Sequence, residues 1–300
     1  MEHLPLVSVI TPSFQGARFI ECTIQSVLDQ DYPRVEYLVM DGGSTDGTLA
    51  ILQRYRDRLS WFSGPDGGAA AAINSGFART SGSIVAWLNA DDAYEPGAIS
   101  AAVAGLALAP GAAAVYGEGV WIDEGDQPLE RYPTAMPFEA VGLARECFLC
   151  QPTVFMRREA LQTAGGLDAS LHYAFDYDLW IRLSRVGPFS AIPVRLARSR
   201  MHRENKTLGA RKQVFQENIR VLRRHYGYVP VNWVYGYLSF LRDGRDQFFE
   251  PLRHSAWVYL ASLPVGACYN WRKFGRYWGE WLSRLRAAFP RQGTRGHSWR

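Results

Sequence analysis

Cysteine is scarce, with only Cys22, Cys147, Cys150 and Cys268 in 300 residues. So few and so scattered thiols exclude a small disulfide-stapled domain, and a hydrophobic content of 47% supplies a core without staples. Cys147 and Cys150 have the spacing of a redox or zinc pair, but no second ligand pair accompanies them, so both read as plain buried thiols. No basic-then-apolar leader precedes the first strand-like run, "LVSVITP". Nor is there an apolar run of the roughly 20 residues a spanning helix needs. The longest candidate, "HSAWVYLASLPVGACYNW", is too short and contains Pro264. These absences point to a reducing cytosol. The first strand is not followed by G-x-G-x-x-G, which argues against a dinucleotide oxidoreductase. Internal repeats and low-complexity tracts are also missing, beyond short Ala/Gly patches.

The net charge of +4 hides an uneven distribution. Residues 1–220 carry 20 Lys and Arg against 25 Asp and Glu, and residues 221–300 carry 13 against 4. The body is therefore at −5 and the tail at +9, and a basic tail on an acidic body implies an anionic partner surface. The tail also holds six of the ten tryptophans, from Trp233 onward, interleaved with Arg. "NWRKFGRYWGEWLSRLRAAF" has the pattern of a helix lying in a membrane interface. The alternative is a helical pair packed on the body or used for oligomerisation. Pro230, Pro251, Pro264 and Pro290 are expected to cut this region into short helices. No nucleic-acid-binding module accompanies the basic residues, so no nucleic-acid partner is expected.

The first half alternates apolar runs with amphipathic segments, the pattern of an α/β domain with a mainly parallel sheet. "LVSVITPSF", "VEYLVMDGGS", "LSWFSG" and "SIVAWLNA" read as strands. "ARFIECTIQSVLDQ" reads as a helix with Phe19, Ile20, Ile24, Val27 and Leu28 on one face, and "EPGAISAAVAGLAL" as another. Beyond Pro110 the pattern loosens into a hairpin at "AAAVYGEGVWID", a strand at "QPTVFMRR", a helix at "FDYDLWIRLSRV" and a strand at "FSAIPVRLARSRMH". The expected division is residues 1–226 as an α/β domain and 227–300 as a basic, aromatic-rich helical extension. Three strand ends carry "TPSF", "DGGSTDGT" and "NADD", and in an open parallel sheet such ends line one ligand crevice.

Each of these turns admits two readings. In "DGGSTDGT", Gly42 and Gly43 suit a tight turn and Ser44, Thr45 or Asp46 a helix cap, while Asp41 is placed to accept a hydrogen bond from a base or ribose. In "NADD", the acids favour the positive end of the next helix, but two adjacent carboxylates after a buried strand also suit a divalent cation carrying a diphosphate. In "YAFDYDLWIRL", Asp176 and Asp178 are either helix-start acids or a general base among aromatic rings that raise its pKa and stack on a sugar.

Taken in order, "VSVITPSFQGARFIECTIQSVLDQDYPRVEYLVMDGGSTDGT", "SGPDGGAAAAINSGFARTSGSIVAWLNADDAYEPGA", "QPTVFMRREALQTAGGLDASLHYAFDYDLWIRL" and "RMH" resemble a family 2 glycosyltransferase of the GT-A fold. The similarity spans about residues 5–225 and is greatest to the branch with "WLNADD" and "DYDLW", which serves bacterial polysaccharide assembly. The resemblance implies a metal-dependent inverting transfer from a nucleoside-diphosphate sugar to a glycan or polyprenyl-diphosphate-linked acceptor. The fold it implies is a Rossmann-like sandwich around a mixed, mainly parallel sheet. "NADD" falls on the family's metal-binding motif, so Asp92 is the first expected ligand of Mg²⁺ or Mn²⁺, with Asp91 on the ribose or sharing the metal. Pro12, Ser13, Asp41 and Asp66 fall on donor-binding positions. Asp176 stands for the catalytic base, with Asp178 the second candidate. His202 stands near the diphosphate or metal, and Tyr173 and Trp180 are expected to meet the acceptor.

Two positions depart from the pattern. Many relatives have Asp-Asp where this chain has Asp41-Gly42, which leaves the donor base open, and Asn89 replaces the first acid of the metal motif. The resemblance further implies an enzyme on the inner face of the plasma membrane, held there through residues 227–300. A noncatalytic scaffold of the same fold and a sugar nucleotidyltransferase are the alternatives. The latter usually shows a Gly-rich loop with Arg and Lys after strand one, and "TPSFQGARF" has neither those glycines nor the Lys.

Overall fold

The computed structural model describes residues 4–248 and 250–288. Two compact units divide between Ala210 and Arg211, ahead of the boundary expected at residue 226.

In the first unit the elements run β1 (Val7–Ser13), α1 (Ile20–Leu28), β2 (Val35–Asp41), α2 (Thr48–Arg54), β3 (Ser60–Ser63), α3 (Ala69–Ala78), β4 (Ile84–Trp87), β5 (Ala93–Tyr94) and α4 (Ala98–Leu108). They continue with β6 (Ala114–Ile122), β7 (Pro128–Arg131), β8 (Phe155–Arg157), α5 (Arg158–Ala164), α6 (Phe175–Val186), β9 (Phe189–Arg200) and α7 (Lys206–Gly209). One sheet takes the order β3-β2-β1-β4-β8-β6-β9-β5, with β7 hairpinned onto β6. β1, β2, β3 and β4 pair in parallel, whereas β8 runs antiparallel to both β4 and β6. β6 and β9 return to parallel pairing, and the short β5 is antiparallel to β9.

This order follows from burial. β1 is buried along its whole length, as a central parallel strand between two helical layers must be, and its sequence accordingly lacks polar alternation. α1 buries Ile20, Ile24 and Val27, one face at helical spacing, in a core shared with Val7, Val9, Val39 and Ala86. α3 approaches β1 so closely that a Cβ at Gly76 would lie 2.6 Å from the Ile10 side chain. Only glycine allows that approach.

Trp87 and Trp180 stack at 5.3 Å with planes 16° apart, both with no exposed surface. This contact fixes α6 against the end of β4, and so sets where the first turn of α6 lies. Trp180 is thus a core residue, and the expected acceptor contact from it is corrected: the ring that was to meet a sugar is spent on packing.

In the second unit the helices are α8 (Arg211–Tyr226), α9 (Val231–Asp243), α10 (Ala256–Tyr269) and α11 (Phe274–Ala288). Phe215 and Ile219 of α8 share a core with Tyr228, Val231, Val234, Tyr277 and Trp281, which is why α8 belongs to this unit. The Arg211 guanidinium sits over the rings of both Phe215 and Phe248, at 4.4 and 4.9 Å. Pro264 lies inside α10 and does not end it, contrary to the expectation of short, proline-cut helices. Among the described residues no helix is long and apolar enough to cross a membrane.

Candidate active site

Three loops at the carboxyl ends of β1, β2 and β4 form the crevice, with the end of β9 beside them. The β1 and β2 loops are stitched together. The Gln15 N–H donates to Ser44 Oγ at 2.8 Å, and its side chain exchanges two hydrogen bonds with Thr45. The Gly16 N–H donates to Thr48 Oγ1 and the Ala17 N–H to Asp46 Oδ2. Burial alone would push the Asp46 carboxyl up, but the bonds from Thr48 and Ala17 outweigh it and hold it below its ordinary range.

Asp41 is buried at the end of β2 and turned into its own loop. Its carboxylate accepts from the Gly43 and Ser44 N–H groups and from the hydroxyls of Ser44 and Ser63. Asp66 accepts from the Gly68 N–H at 2.7 Å, and its Oδ2 would lie 3.0 Å from a Cβ at position 42. Gly42 in place of a second acid therefore leaves room for the Asp66 carboxylate beside Phe14. Pro12 and Ser13 are buried in β1, and the Ser13 hydroxyl has no hydrogen-bond partner.

The two carboxylates that end β4 face opposite ways. Asp92 is 3% exposed, and its Oδ1 accepts from the Arg200 N–H at 2.9 Å while its Oδ2 accepts from Asn89 Nδ2 at 3.1 Å. Asn89 also donates to Gln151 Oε1, and Gln151 Nε2 to the Trp87 carbonyl, which locks the strand end. Burial, reinforced by the neighbouring Asp91 charge, pushes the Asp92 carboxyl up to about 8. Asp91 is the open one. Its Oδ2 lies 3.0 Å from His202 Nε2, whose ring packs 5.0 Å from Phe19 and whose Nδ1 is buried without a partner.

Arg200 organises this corner, and sequence reasoning missed it. Its side chain is 1% exposed, and it donates through Nε to the Asp91 carbonyl, through Nη1 to the Asp123 carbonyl and through Nη2 to Asp126. The guanidinium also lies 4.7 Å over the Phe19 ring. The readable signal was its spacing, two residues before His202 at the end of an apolar strand.

The acids of α6 separate in the same way. Asp178 is 1% exposed and paired with Arg182, whose Nε and Nη2 lie 2.8 and 2.7 Å from its Oδ2. Arg182 also donates to the Ala164 and Gly166 carbonyls, so this pair ties α6 to the end of α5. Asp176, one turn edge away, is only half-buried and accepts from the Tyr177 N–H. Its charge adds to the burial that raises the Cys147 thiol and the Tyr132 hydroxyl, so all three lie in one neighbourhood. Tyr132 donates to the Cys147 carbonyl and sets its ring edge-on to Trp121 at 5.3 Å. Tyr173 is half-buried beside His172.

The family model for glycosyl transferase family 2 matches residues 8–164, more than half the chain. The chain belongs to this family. An uncharacterized glycosyltransferase of Rickettsia typhi is 31% identical over 224 residues, covering 71% of this chain and 69% of that protein. The chondroitin synthase of Escherichia coli is 28% identical over 212 residues, which cover 69% of this chain but 31% of the synthase. Among solved structures, S. aureus TarS 1–349 in complex with UDP-GlcNAc superposes with a TM-score of 0.60 at 17% identity, over 81% of this chain and 73% of that one. The mannosyltransferase PcManGT of Pyrobaculum calidifontis, in complex with GDP-Man and Mn²⁺, gives 0.58 at 21% identity, over 89% and 74%. The family member described here has the GT-A fold of these neighbours and is a glycosyltransferase.

Proposed function

We propose that this glycosyltransferase moves a sugar, with inversion and in the presence of a divalent cation, from a nucleoside-diphosphate sugar to a hydroxyl of a glycan or polyprenyl-diphosphate-linked acceptor. The observation that carries the reading is the convergence of Asp91 Oδ2 and His202 Nε2 to 3.0 Å at the carboxyl end of the sheet. One carboxylate and one imidazole suit Mn²⁺ or Mg²⁺ when a diphosphate and water complete the shell. Among the described residues no cluster of three His, Cys, Asp or Glu side chains is placed to hold a metal alone, in keeping with a site that the substrate finishes. Asp91 and His202 would hold the ion, in preference to Asp92, whose two oxygens are already engaged. The bound cation would neutralise the charge that builds on the departing nucleoside diphosphate.

The protein's own groups do the rest. Asp176 is the half-buried acid of α6, where Asp178 is fully buried and paired with Arg182, and it is assigned the proton of the attacking acceptor hydroxyl. A single displacement needs that one base and no protein nucleophile. Gly42, Asp66 and Ser13 surround the donor end, and the stitched β1 and β2 loops keep it rigid. Tyr173, Tyr132 and Trp121 supply rings against which an acceptor sugar can stack. The similarity to a chondroitin synthase supports a role in polysaccharide synthesis, and the basic aromatic helices support placement on the cytoplasmic face of the plasma membrane.

A panel of nucleotide sugars with Mn²⁺ or Mg²⁺, followed by nucleoside diphosphate release, tests this. Release should require metal and fall by orders of magnitude in Asp91→Asn and Asp176→Asn. Metal-independent release, or full activity in both variants, sinks the proposed chemistry.

A further inference from the structure

α10 carries no charged side chain in its 14 residues. Its inner stripe is Val258, Ser262 and Gly266, buried within the unit, with Ser262 and Gly266 against α11. A Cβ at Gly266 would fall 2.0 Å from the Tyr277 ring, the Tyr277 hydroxyl donates to the Ser262 carbonyl, and Trp281 Nε1 donates to Ser262 Oγ. The opposite stripe is apolar and uncovered. Trp257 is 82% exposed and Leu260 52%, followed by Ala261, Pro264 and Cys268, and Trp271 just beyond the helix end is 70% exposed. Trp257 is followed at three and four residues by Leu260 and Ala261, and Ala261 by Pro264, Cys268 and Trp271 at steps of three, four and three, which keeps these side chains on one face about 20 Å long.

The charges beyond its ends decide what can cover it. Arg253 and His254 precede the stripe and Arg272, Lys273 and Arg276 follow it, all exposed. Between residues 251 and 288 there are six Lys and Arg and a single acid, Glu280. Glu280 already accepts from Tyr228, the Val231 N–H and Arg284. A second copy laid on the stripe would bring cations against cations. An anionic lipid surface would meet them with opposite charge, while tryptophans at both ends of an uncharged helix match the depth of the headgroup boundary.

We propose that α10, with Trp257, Leu260 and Trp271 as its anchors, lies in the plane of an anionic bilayer as the membrane contact of this protein. The inference rests on the reading that the C-terminal unit meets a membrane and identifies α10, rather than the amphipathic α11, as the inserted element. α11 offers less apolar surface, since Tyr277 and Trp281 are spent in the unit's own core and Phe274 and Trp278 are each 41% exposed against 82% for Trp257.

The test is sedimentation of the full chain with phosphatidylglycerol/phosphatidylethanolamine vesicles and with neutral phosphatidylcholine vesicles. The wild type should bind the anionic vesicles and not the neutral ones. Binding should fall about tenfold or more in the Trp257→Ser, Leu260→Ser double variant. A second variant, Arg253→Glu with Arg272→Glu, should also lose binding, so the result does not hang on one altered surface. Failure of the wild type to bind anionic vesicles, equal binding to neutral ones, or undiminished binding by both variants overturns the proposal. So does a wild-type dimer that the double variant splits to a monomer. Nucleoside diphosphate release without vesicles should be unchanged in both variants, and its failure in the wild type would count against the transferase chemistry alone.

Discussion

Asn89 donates to Asp92 at 3.1 Å and, together with the Arg200 N–H at 2.9 Å, holds the second of two adjacent carboxylates turned inward. An acid at position 89 would set a further negative charge against Asp92 in a buried corner, where the Arg200 guanidinium is already bonded to the Asp91 and Asp123 carbonyls and to Asp126. The amide instead donates both to Asp92 and to Gln151. Asp91 is left outward, against His202.

Asp91→Asn and Asp92→Asn should therefore fail differently. The first should lose at least about a hundredfold in nucleoside diphosphate release while keeping its melting temperature, since Asp91 is partly solvated and its amide replacement is isosteric. The second places an amide where Oδ1 and Oδ2 both accept hydrogen bonds. An unmatched buried donor costs about 1–3 kcal/mol, which is roughly 2–4 °C per kcal/mol for a unit of this size. Calorimetry beside the release assay separates the two, and equal melting temperatures in both variants would contradict the assignment.

The acids of α6 offer the same contrast. Asp178→Ala leaves the Arg182 guanidinium without its partner inside the fold, a loss of about 3–5 kcal/mol for a broken buried pair. Asp176→Asn, an isosteric change at a half-buried position, should cost less stability than Asp178→Ala and abolish transfer. Urea unfolding of both variants checks the first expectation, and acceptor-dependent turnover the second.

Arg200→Lys keeps the positive charge and loses the fork. A lysine cannot reach the Asp91 carbonyl, the Asp123 carbonyl and Asp126 together, so the β4 end should loosen from the β6–β7 hairpin. The expected result is a rise of about tenfold in the metal concentration needed for half-maximal activity, larger than any change in maximal rate. A fall confined to the maximal rate would show that Arg200 does not position Asp91.

Gly266→Ala tests the second unit by itself. The added methyl would overlap the Tyr277 ring, and overpacking of this kind costs about 1–3 kcal/mol. Limited proteolysis should cut the region after residue 211 faster in the variant, with the first unit intact. Unchanged proteolysis would mean that α10 and α11 can part without cost.

Much of the fold is legible in the sequence because β1, β2 and β4 are predominantly apolar runs bounded by turn residues, and α1 repeats its apolar face at Ile20, Ile24 and Val27. The crevice is legible too, since all three loops follow strand ends. The direction of each acid is not. Asp92 is turned inward by the N–H of Arg200, 108 residues later, and no local pattern carries that information. The role of Trp180 was hidden for the same reason, because its partner Trp87 lies on another element. Pro264 misled differently. The carbonyl it leaves unpaired belongs to Leu260, on the outward side of α10, so the helix continues past a residue that would break it in a core.

The span between Asp91 and His202, 111 residues along the chain, has a consequence for how the protein comes into being. The ribosome must deliver β9 before the pair can meet, and β9 is the last strand of the sheet to be made. A nascent chain carrying β1 to β8 has its donor loops and both carboxylates of "NADD", yet neither the imidazole nor the guanidinium that orders them. Activity should therefore switch on late and all at once during synthesis, with no partly competent transferase released along the way.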